Sequence, residues 1–105
     1  GMRIAKEEIF CPVLCVIPYA DDADAISIAN DSPYGLSGTV WTSDEARGMK
    51  IARKIRTGNY GINYFNLDIN APFGGFKESG IGRQLGPEGL EGFFELKAIH
   101  FPPQS

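Results

Sequence analysis

A glycine-rich stretch at residues 63–86 constrains the fold of this chain more than any other part of its sequence. It has five glycines after Phe73, interleaved with Phe76, Lys77 and Arg83. Its apolar residues follow neither the two-residue period of a strand nor the 3.6-residue period of a helix, so it is predicted to be a loop. A loop of this length in a compact domain is usually functional or disordered. The phenylalanines argue against disorder because their rings carry enough apolar area to anchor a loop.

Residue types alone leave two interpretations of this loop open. In one, it is a structural loop whose glycines only satisfy turn geometry. In the other, it is a wall of a ligand site whose glycines let a backbone or a cofactor approach closely. Phosphate motifs are not completed, since Ile81 and Gly82 replace the Lys and Ser/Thr of a P-loop and Leu85 replaces the third glycine of a dinucleotide fingerprint. The loop is therefore not predicted to hold phosphates by itself.

Composition excludes several classes of function. The 105 residues carry a net charge of -3 with scattered signs, and no apolar run approaches the roughly 20 residues of a membrane span. Neither a nucleic-acid partner nor a membrane is therefore predicted. Cys11 and Cys15 lie in an apolar run and are predicted to be buried thiols of a reducing, cytoplasmic protein. His100 is the only histidine, so a Cys/His zinc site cannot be completed and no metal site is predicted.

Strand and helix signals alternate before the loop. In order, they predict a buried strand at residues 13–17, a helix from about Asp21 to Asn30, a strand at residues 36–42, a helix capped by Ser43 and a strand at residues 60–64. This alternation predicts an α/β fold with a parallel β-α-β-α-β core. Ligands bind such sheets beyond the carboxyl ends of the strands, which favours a ligand wall for the loop that follows the third strand.

The chain after the loop is predicted to form a short helix at residues 88–95, opened by Pro87, and a last strand at residues 96–101. No turn signal pairs this strand with a neighbour. It either joins a local sheet edge or, as we favour, adds to the sheet of another chain and forms a homo-oligomer. The predicted division is a body at residues 1–95 and a C-terminal oligomerisation strand and tail at residues 96–105.

A few single positions carry further expectations. The second helix should have Gly58 as its C-cap residue. Asn63 should tie the end of the third strand to the loop, and Lys77 and Arg83 should hold the loop or an interface. The side chains expected in the core are Trp41, Met49 and Ile55.

Three motifs resemble, in the same order, the C-terminal part of the NAD(P)-dependent aldehyde dehydrogenase superfamily. They are Glu7-Glu8-Ile9-Phe10-x-Pro12-Val13, Ala29-Asn30-Asp31-Ser32-x-Tyr34-Gly35-Leu36 and Pro72-Phe73-Gly74-Gly75-Phe76-Lys77-x-Ser79-Gly80-x-Gly82-Arg83. The resemblance runs nearly end to end, and the third motif is highly specific. Enzymes of that family are several times longer. The resemblance thus implies a C-terminal fragment: the latter half of the catalytic domain plus the closing oligomerisation strand.

The resemblance also implies a reaction. In that family a cysteine thiolate attacks the aldehyde, hydride passes to the nicotinamide, and water activated by a glutamate releases the carboxylic acid. The sequence contexts of that cysteine and glutamate do not occur here, and Cys11 stands where the family usually has glycine. No catalytic residue is therefore expected, and the isolated chain is expected to be inactive. NAD or NADP would serve the intact enzyme, with none bound to this chain.

Five site residues follow from the resemblance. Glu8 would accept hydrogen bonds from the nicotinamide ribose, and Phe10 would pack near the nicotinamide. The substrate tunnel would be lined by Phe65, Leu67 and Phe73. Without the resemblance, Glu8 reads as a solvated residue, Phe10 as a core aromatic and the tunnel residues as loop anchors. A different class of function also stays open, a non-catalytic assembly or dimerisation module derived from an aldehyde dehydrogenase.

Overall fold

The computed structural model describes residues 2–103. Gly1, Gln104 and Ser105 lie outside this range, so the last two residues of the predicted tail are not described. The chain opens with a 3-10 turn at Arg3–Ala5. The helices are α1 (Asp22–Asn30), α2 (Glu45–Ala52) and α3 (Gly86–Glu91), and the strands are β1 (Tyr34–Gly35), β2 (Ser37–Val40), β3 (Asn59–Ile62) and β4 (Phe76–Lys77).

Aspartates cap the two longer helices. The Asp21 side chain accepts a hydrogen bond from the N–H of Asp24 at 2.9 Å, so α1 begins where the sequence predicts. Asp44, not Ser43, caps α2, because its carboxylate accepts the N–H of Arg47 at 2.9 Å. That helix ends with Arg53 as its C-cap, so the prediction for Gly58 is also wrong.

The strands β2 and β3 pair in parallel, with Val40 opposite Ile62. Between them in sequence, α2 packs on one face of this two-stranded sheet. Gly48 is the point of closest approach, since a Cβ there would lie 3.0 Å from Cγ2 of Ile62 and 3.1 Å from Cγ2 of Thr42. This β-α-β unit is the half of the predicted core that forms.

The first predicted strand is absent. Residues 13–17 are extended but pair with no other strand among residues 2–103, and Leu14 and Val16 are 86% and 81% exposed. Cys11 and Cys15 are exposed as well, so the prediction of buried thiols is wrong. An apolar run predicts burial only where other layers cover it, and none of the described elements covers this one.

The C-terminal region also departs from its prediction. The short helix α3 begins earlier than expected, with Pro87 in its first turn, and ends at Glu91. Residues 96–101 form no strand within the described part of the chain, and Leu96 and Phe101 are 100% and 84% exposed. Their assignment to oligomerisation therefore remains a prediction.

A second two-stranded sheet was not predicted. Here β1 and β4 pair antiparallel, which joins the segment after α1 to the glycine-rich loop. Lys77 strengthens this junction, because its Nζ donates to the carbonyl oxygens of Asn30 at 2.9 Å and Ser32 at 2.8 Å. These carbonyls lie at the end of α1 and just beyond it, where a cation is favourable. Lys77 thus holds the loop, as predicted.

The described residues enclose no apolar core. None of their apolar side chains is fully buried, and the predicted core residues Trp41 and Met49 are 72% and 45% exposed, while Ile55 is half-buried. The radius of gyration is 19.0 Å, against about 13 Å for a compact domain of this length. The accessible surface is 8939 Å², against about 5,800 Å² for a compact monomer of this mass. Much apolar surface is therefore left without a covering layer.

Candidate functional site

The glycine-rich loop turns back along β3 instead of continuing beyond its carboxyl end. The turn occurs at Asn63, whose φ is +54°. A Cβ on Gly61 would lie 1.8 Å from the carbonyl oxygen of Tyr64, and one on Gly58 would lie 1.6 Å from that of Gly74. The loop thus runs from the carboxyl end of β3 to its amino end in direct backbone contact. The loop therefore leaves from the carboxyl end of β3, as expected, but does not stay there.

The first part of this loop and β3 enclose a cavity of about 370 Å³. We call it the loop cavity. Phe65 and Leu67, two of the predicted tunnel residues, both line it and are 45% and 50% exposed. Tyr60 and Pro72 lie on the same wall. The structure therefore brings two predicted site residues together around a space that is large enough for a small organic molecule.

Phe73, the third predicted tunnel residue, lies elsewhere. It lines a separate depression of about 330 Å³ together with Leu36 and Arg83. Its backbone exchanges two hydrogen bonds with Gln84, each 2.7 Å long, which close the glycine-rich loop. The predicted tunnel residues are thus divided between the loop cavity and a second depression, which no residue of β3 lines.

Arg83 holds the loop from inside, as predicted. Its Nη1 donates to the carbonyl oxygens of Gly75 at 3.0 Å and Gly82 at 2.6 Å. Its guanidinium also lies 5.3 Å from the centre of the Phe76 ring, within range of a cation–π interaction. These contacts use the Arg83 guanidinium to stabilise the loop itself.

Glu8 lines a third cavity, of about 470 Å³, near the start of the chain. Neighbouring charges are already paired, Arg3 with Glu7 at 2.8 Å and Lys6 with Asp31 at 2.8 Å. The carboxylate of Glu8 is exposed and has no partner among residues 2–103. Its two oxygens are thus able to accept two hydroxyl donors, which fits the ribose of a nucleotide.

Phe10 lies two residues further along and is 90% exposed, with a φ of +50°. A positive φ is rare for a bulky residue. The alternative interpretation of Phe10 as a core aromatic has no support in the described residues. Its exposed ring is accessible to a planar ligand.

Ionisable groups near the helices have shifted pKa values. The Arg47 guanidinium holds the pKa of Asp22 below its usual value through a hydrogen bond of 2.8 Å, and Lys6 does the same for the pKa of Asp31. Partial burial raises the pKa of the Tyr60 hydroxyl. The aspartate pairs join surface elements and surround no reaction centre.

Among residues 2–103, no cluster of three or more His, Cys, Asp or Glu side chains could hold a metal ion. No helix in that part of the chain has the length and apolar character needed to cross a bilayer.

The comparison with protein families matches residues 1–99 to the aldehyde dehydrogenase family. The chain belongs to this family. Among curated aldehyde dehydrogenase relatives, it is 52% identical to the geranial dehydrogenase of Castellaniella defragrans and 53% identical to a 3-succinoylsemialdehyde-pyridine dehydrogenase from a Pseudomonas species. Each match covers 93% of this chain and 20% of the relative. The chain thus spans about a fifth of the length of these curated relatives.

Solved structures of the same family agree. An aldehyde dehydrogenase of Mycobacterium tuberculosis complexed with NAD+ superposes with a TM-score of 0.92 and 58% identity, over 96% of this chain and 21% of that one. A betaine aldehyde dehydrogenase of Staphylococcus aureus in complex with NAD+ gives a TM-score of 0.84 and 46% identity, over 88% of this chain and 18% of that one. The backbone described above is therefore that of an aldehyde dehydrogenase segment.

The sequence interpretation missed the residues that direct the loop. Gly58 was expected only as a helix C-cap, Gly61 was given no role, and Asn63 was expected to contact the loop instead of β2. One signal was available for Asn63, since asparagine is enriched among residues with positive φ. The strand predicted at residues 60–64 in fact ends at Ile62. Nothing in the local sequence shows which backbone approaches Gly58.

Proposed function

We propose that this chain is the C-terminal part of an NAD(P)-dependent aldehyde dehydrogenase that oxidises an aldehyde to a carboxylic acid. The observation that carries the proposal is the superposition on the NAD+-complexed enzyme of Mycobacterium tuberculosis, with a TM-score of 0.92 at 58% identity. From 58% identity over 96% of this chain, we infer that the matched motifs keep their local positions as well as the fold.

On the cofactor side, Glu8 accepts hydrogen bonds from the hydroxyls of the nicotinamide ribose, and Phe10 packs near the nicotinamide. The unpaired, exposed carboxylate and the 90% exposed ring support these roles. When bound, the cofactor supplies the hydride acceptor of the reaction, while these two residues only bind and orient it.

On the substrate side, Phe65 and Leu67 give the tunnel an apolar wall at the loop cavity. Phe73 contributes from its own depression, which it lines together with Leu36 and Arg83. Apolar walls of this kind exclude water and select the aldehyde by shape. These contacts do not distinguish NAD from NADP, and they do not specify one aldehyde.

A chain of these 105 residues alone is proposed to be inactive and to bind no NAD(P). The sequence contexts of the family's nucleophilic cysteine and general-base glutamate do not occur in this chain, and neither Cys11 nor Cys15 is proposed as the nucleophile. The test is an assay of NAD+ and NADP+ reduction with aliphatic and aromatic aldehydes. No turnover is expected, and turnover that Cys11→Ala abolishes would overturn the proposal.

A chimeric enzyme tests the positive part of the proposal. Residues 2–101 replace the matching segment of the Mycobacterium tuberculosis aldehyde dehydrogenase, and NAD+-dependent aldehyde oxidation is expected to survive. Glu8→Gln should raise the KM for NAD+ by about tenfold, since one charged hydrogen-bond acceptor is lost. Phe65→Ala should raise the KM for the aldehyde and leave that for NAD+ unchanged. A folded but inactive chimera, or the opposite pattern of KM changes, would contradict the assignment.

A second candidate is a non-catalytic assembly module that forms homo-oligomers through residues 96–101. The accessible surface of 8939 Å² and the lack of a buried apolar side chain in residues 2–103 favour it. Static light scattering of the 105-residue chain tests this candidate. Concentration-dependent self-association, weakened by Leu96→Asp, is expected. A monodisperse monomer at high concentration would count against the module.

A further inference from the structure

We propose that Asn63 is a positioning residue, which sets the course of the loop at residues 64–72 by taking the place of the main chain in the β2–β3 ladder. This inference rests on the proposed function, because that loop carries the two tunnel residues of the loop cavity. The structural part of the inference can nevertheless be tested without any activity.

Asn63 makes three hydrogen bonds to the same neighbouring strand segment. Its N–H donates to the carbonyl of Val40 at 2.8 Å, which is the last regular bond of the ladder. Its Oδ1 accepts the N–H of Thr42 at 2.7 Å, and its Nδ2 donates to the carbonyl of Thr42 at 2.8 Å. We call this pair of side-chain bonds the Asn63 clamp.

The clamp continues the ladder after the main chain has left it. In a regular parallel pair, the N–H of Thr42 would donate to the main-chain carbonyl of Asn63. The carbonyl of Thr42 would accept a hydrogen bond from the N–H of the residue two positions after Asn63. The side-chain amide supplies both groups instead. The main chain at Asn63 is therefore free to adopt its φ of +54° and turn away.

The turn decides where the tunnel residues lie. Immediately after it, the carbonyl oxygen of Tyr64 reaches the Cα of Gly61, where a Cβ would lie only 1.8 Å away. Phe65 follows at once, with its own Cβ 3.3 Å from that same position. The Asn63 clamp and the close approach at Gly61, which has no side chain, thus fix where the loop at residues 64–72 begins.

Thr42 extends the same network to α2. Its Oγ1 accepts the N–H of Asp44 at 3.1 Å, next to the carboxylate that caps the helix. Asparagine meets both demands at position 63, since it tolerates positive φ and offers a donor and an acceptor on the same short side-chain amide. Glycine meets the first demand alone, and aspartate lacks the donor.

Kinetics of the chimeric enzyme test the functional part. Asn63→Gly keeps the backbone conformation but removes the clamp, and should raise the KM for the aldehyde by about tenfold, with that for NAD+ changed by less than about twofold. Asn63→Asp should act in the same direction, because a carboxylate oxygen would face the carbonyl of Thr42. The matched control is Asn70→Gly, an exposed loop asparagine whose side chain bonds only to Asp68, and it should leave both constants unchanged.

Hydrogen exchange measured by mass spectrometry tests the structural part. The segment at residues 64–72 and the N–H of Thr42 should exchange faster in Asn63→Gly than in the parent, and no faster in Asn70→Gly. If the parent chimera is folded but inactive, the proposed function fails and the clamp is still tested by exchange. If Asn63→Gly does not fold, Asn63→Asp provides the comparison. Unchanged exchange of the loop, or equal rises in both KM values, would overturn the inference.

Discussion

Gly58 and Gly74 meet backbone to backbone, at a distance where a Cβ on Gly58 would lie 1.6 Å from the carbonyl oxygen of Gly74. This contact places the end of the returning loop against the amino end of β3. A second approach of the same kind, between Gly61 and Tyr64, lies at the other end of the strand. The course of the loop therefore depends on two positions that have no side chain.

Gly58→Ala in the chimeric enzyme should consequently be strongly destabilising. The carbonyl of Gly74 is backbone and cannot rotate away, so the loop must shift, at a cost of about 2–4 kcal/mol. Thermal denaturation measures the loss. Gly92→Ala is the matched control, because a Cβ there meets nothing within 4 Å, and its melting temperature should stay that of the parent. Equal melting temperatures for the two variants would show that the loop does not lie where we describe it.

Lys77→Met should also lower stability. It removes a half-buried ammonium that donates to the carbonyls of Asn30 and Ser32, and hydrogen bonds to a charged group contribute about 1.5–3 kcal/mol. Urea denaturation of the chimeric enzyme gives the change. Lys50→Met, an exposed lysine of α2, should have little effect. The prediction fails if the two lysine variants are equally stable.

The Asp22–Arg47 pair should show itself in a titration of the 105-residue chain. Arg47 lowers the pKa of Asp22, so the pair stabilises the fold at pH values above about 4, the ordinary pKa of aspartate, and this contribution is lost as the pH falls through the lowered pKa. Carbon-13 NMR of the carboxyl groups should give a lowered titration midpoint for Asp22. Arg47→Met should raise this midpoint towards the ordinary aspartate pKa. If Arg47→Met leaves the titration midpoint of Asp22 unchanged, this pair does not join the two helices.

Tyr60 should titrate at higher pH than an ordinary tyrosine. Burial raises its pKa because the charged phenolate is desolvated. The neutral form therefore stabilises the fold up to about pH 10, and this contribution is lost as the pH rises through the raised pKa. Ultraviolet difference spectra of the wild-type chain and Tyr60→Phe isolate this one hydroxyl. If the transition that Tyr60→Phe removes lies at or below pH 10, the burial of the Tyr60 hydroxyl is contradicted.

Cys11 and Cys15 should react readily with a thiol reagent in the undenatured 105-residue chain. Both side chains are exposed. Titration with a chromogenic disulfide should therefore modify both thiols without urea, and Cys11→Ala should remove one of them. Protection of both thiols until denaturant is added would show that the segment is covered in solution, by self-association or otherwise.

Local signals in the sequence predicted the parts of the fold that local interactions decide. Asp21 marks the start of α1 because its side chain needs only the N–H three residues on. The unit β2-α2-β3 followed from strand and helix patterns in one short stretch. Strand formation at residues 13–17, in contrast, requires a partner, and apolar character alone does not supply one. The β1–β4 pair was missed because each strand is two residues long and carries no periodic signal.

The candidate site was predicted to a smaller extent. The family resemblance led us to predict Glu8, Phe10, Phe65, Leu67 and Phe73 as site residues, but it gave no indication that the loop reverses along β3. That reversal depends on which backbone approaches Gly58 and on where the Asn63 amide finds its partners. Both are contacts between segments that are distant in sequence, and residue type alone does not reveal them.

The β1–β4 pair has a consequence for the order of assembly. The contacts of the β-α-β unit span little chain, so this unit can form early, whereas joining β1 to β4 requires a long loop to close first. We therefore expect the pairing of β1 with β4, which Lys77 stabilises, to be a late step in the folding pathway. Substitutions there should mainly accelerate unfolding and leave the refolding rate nearly untouched.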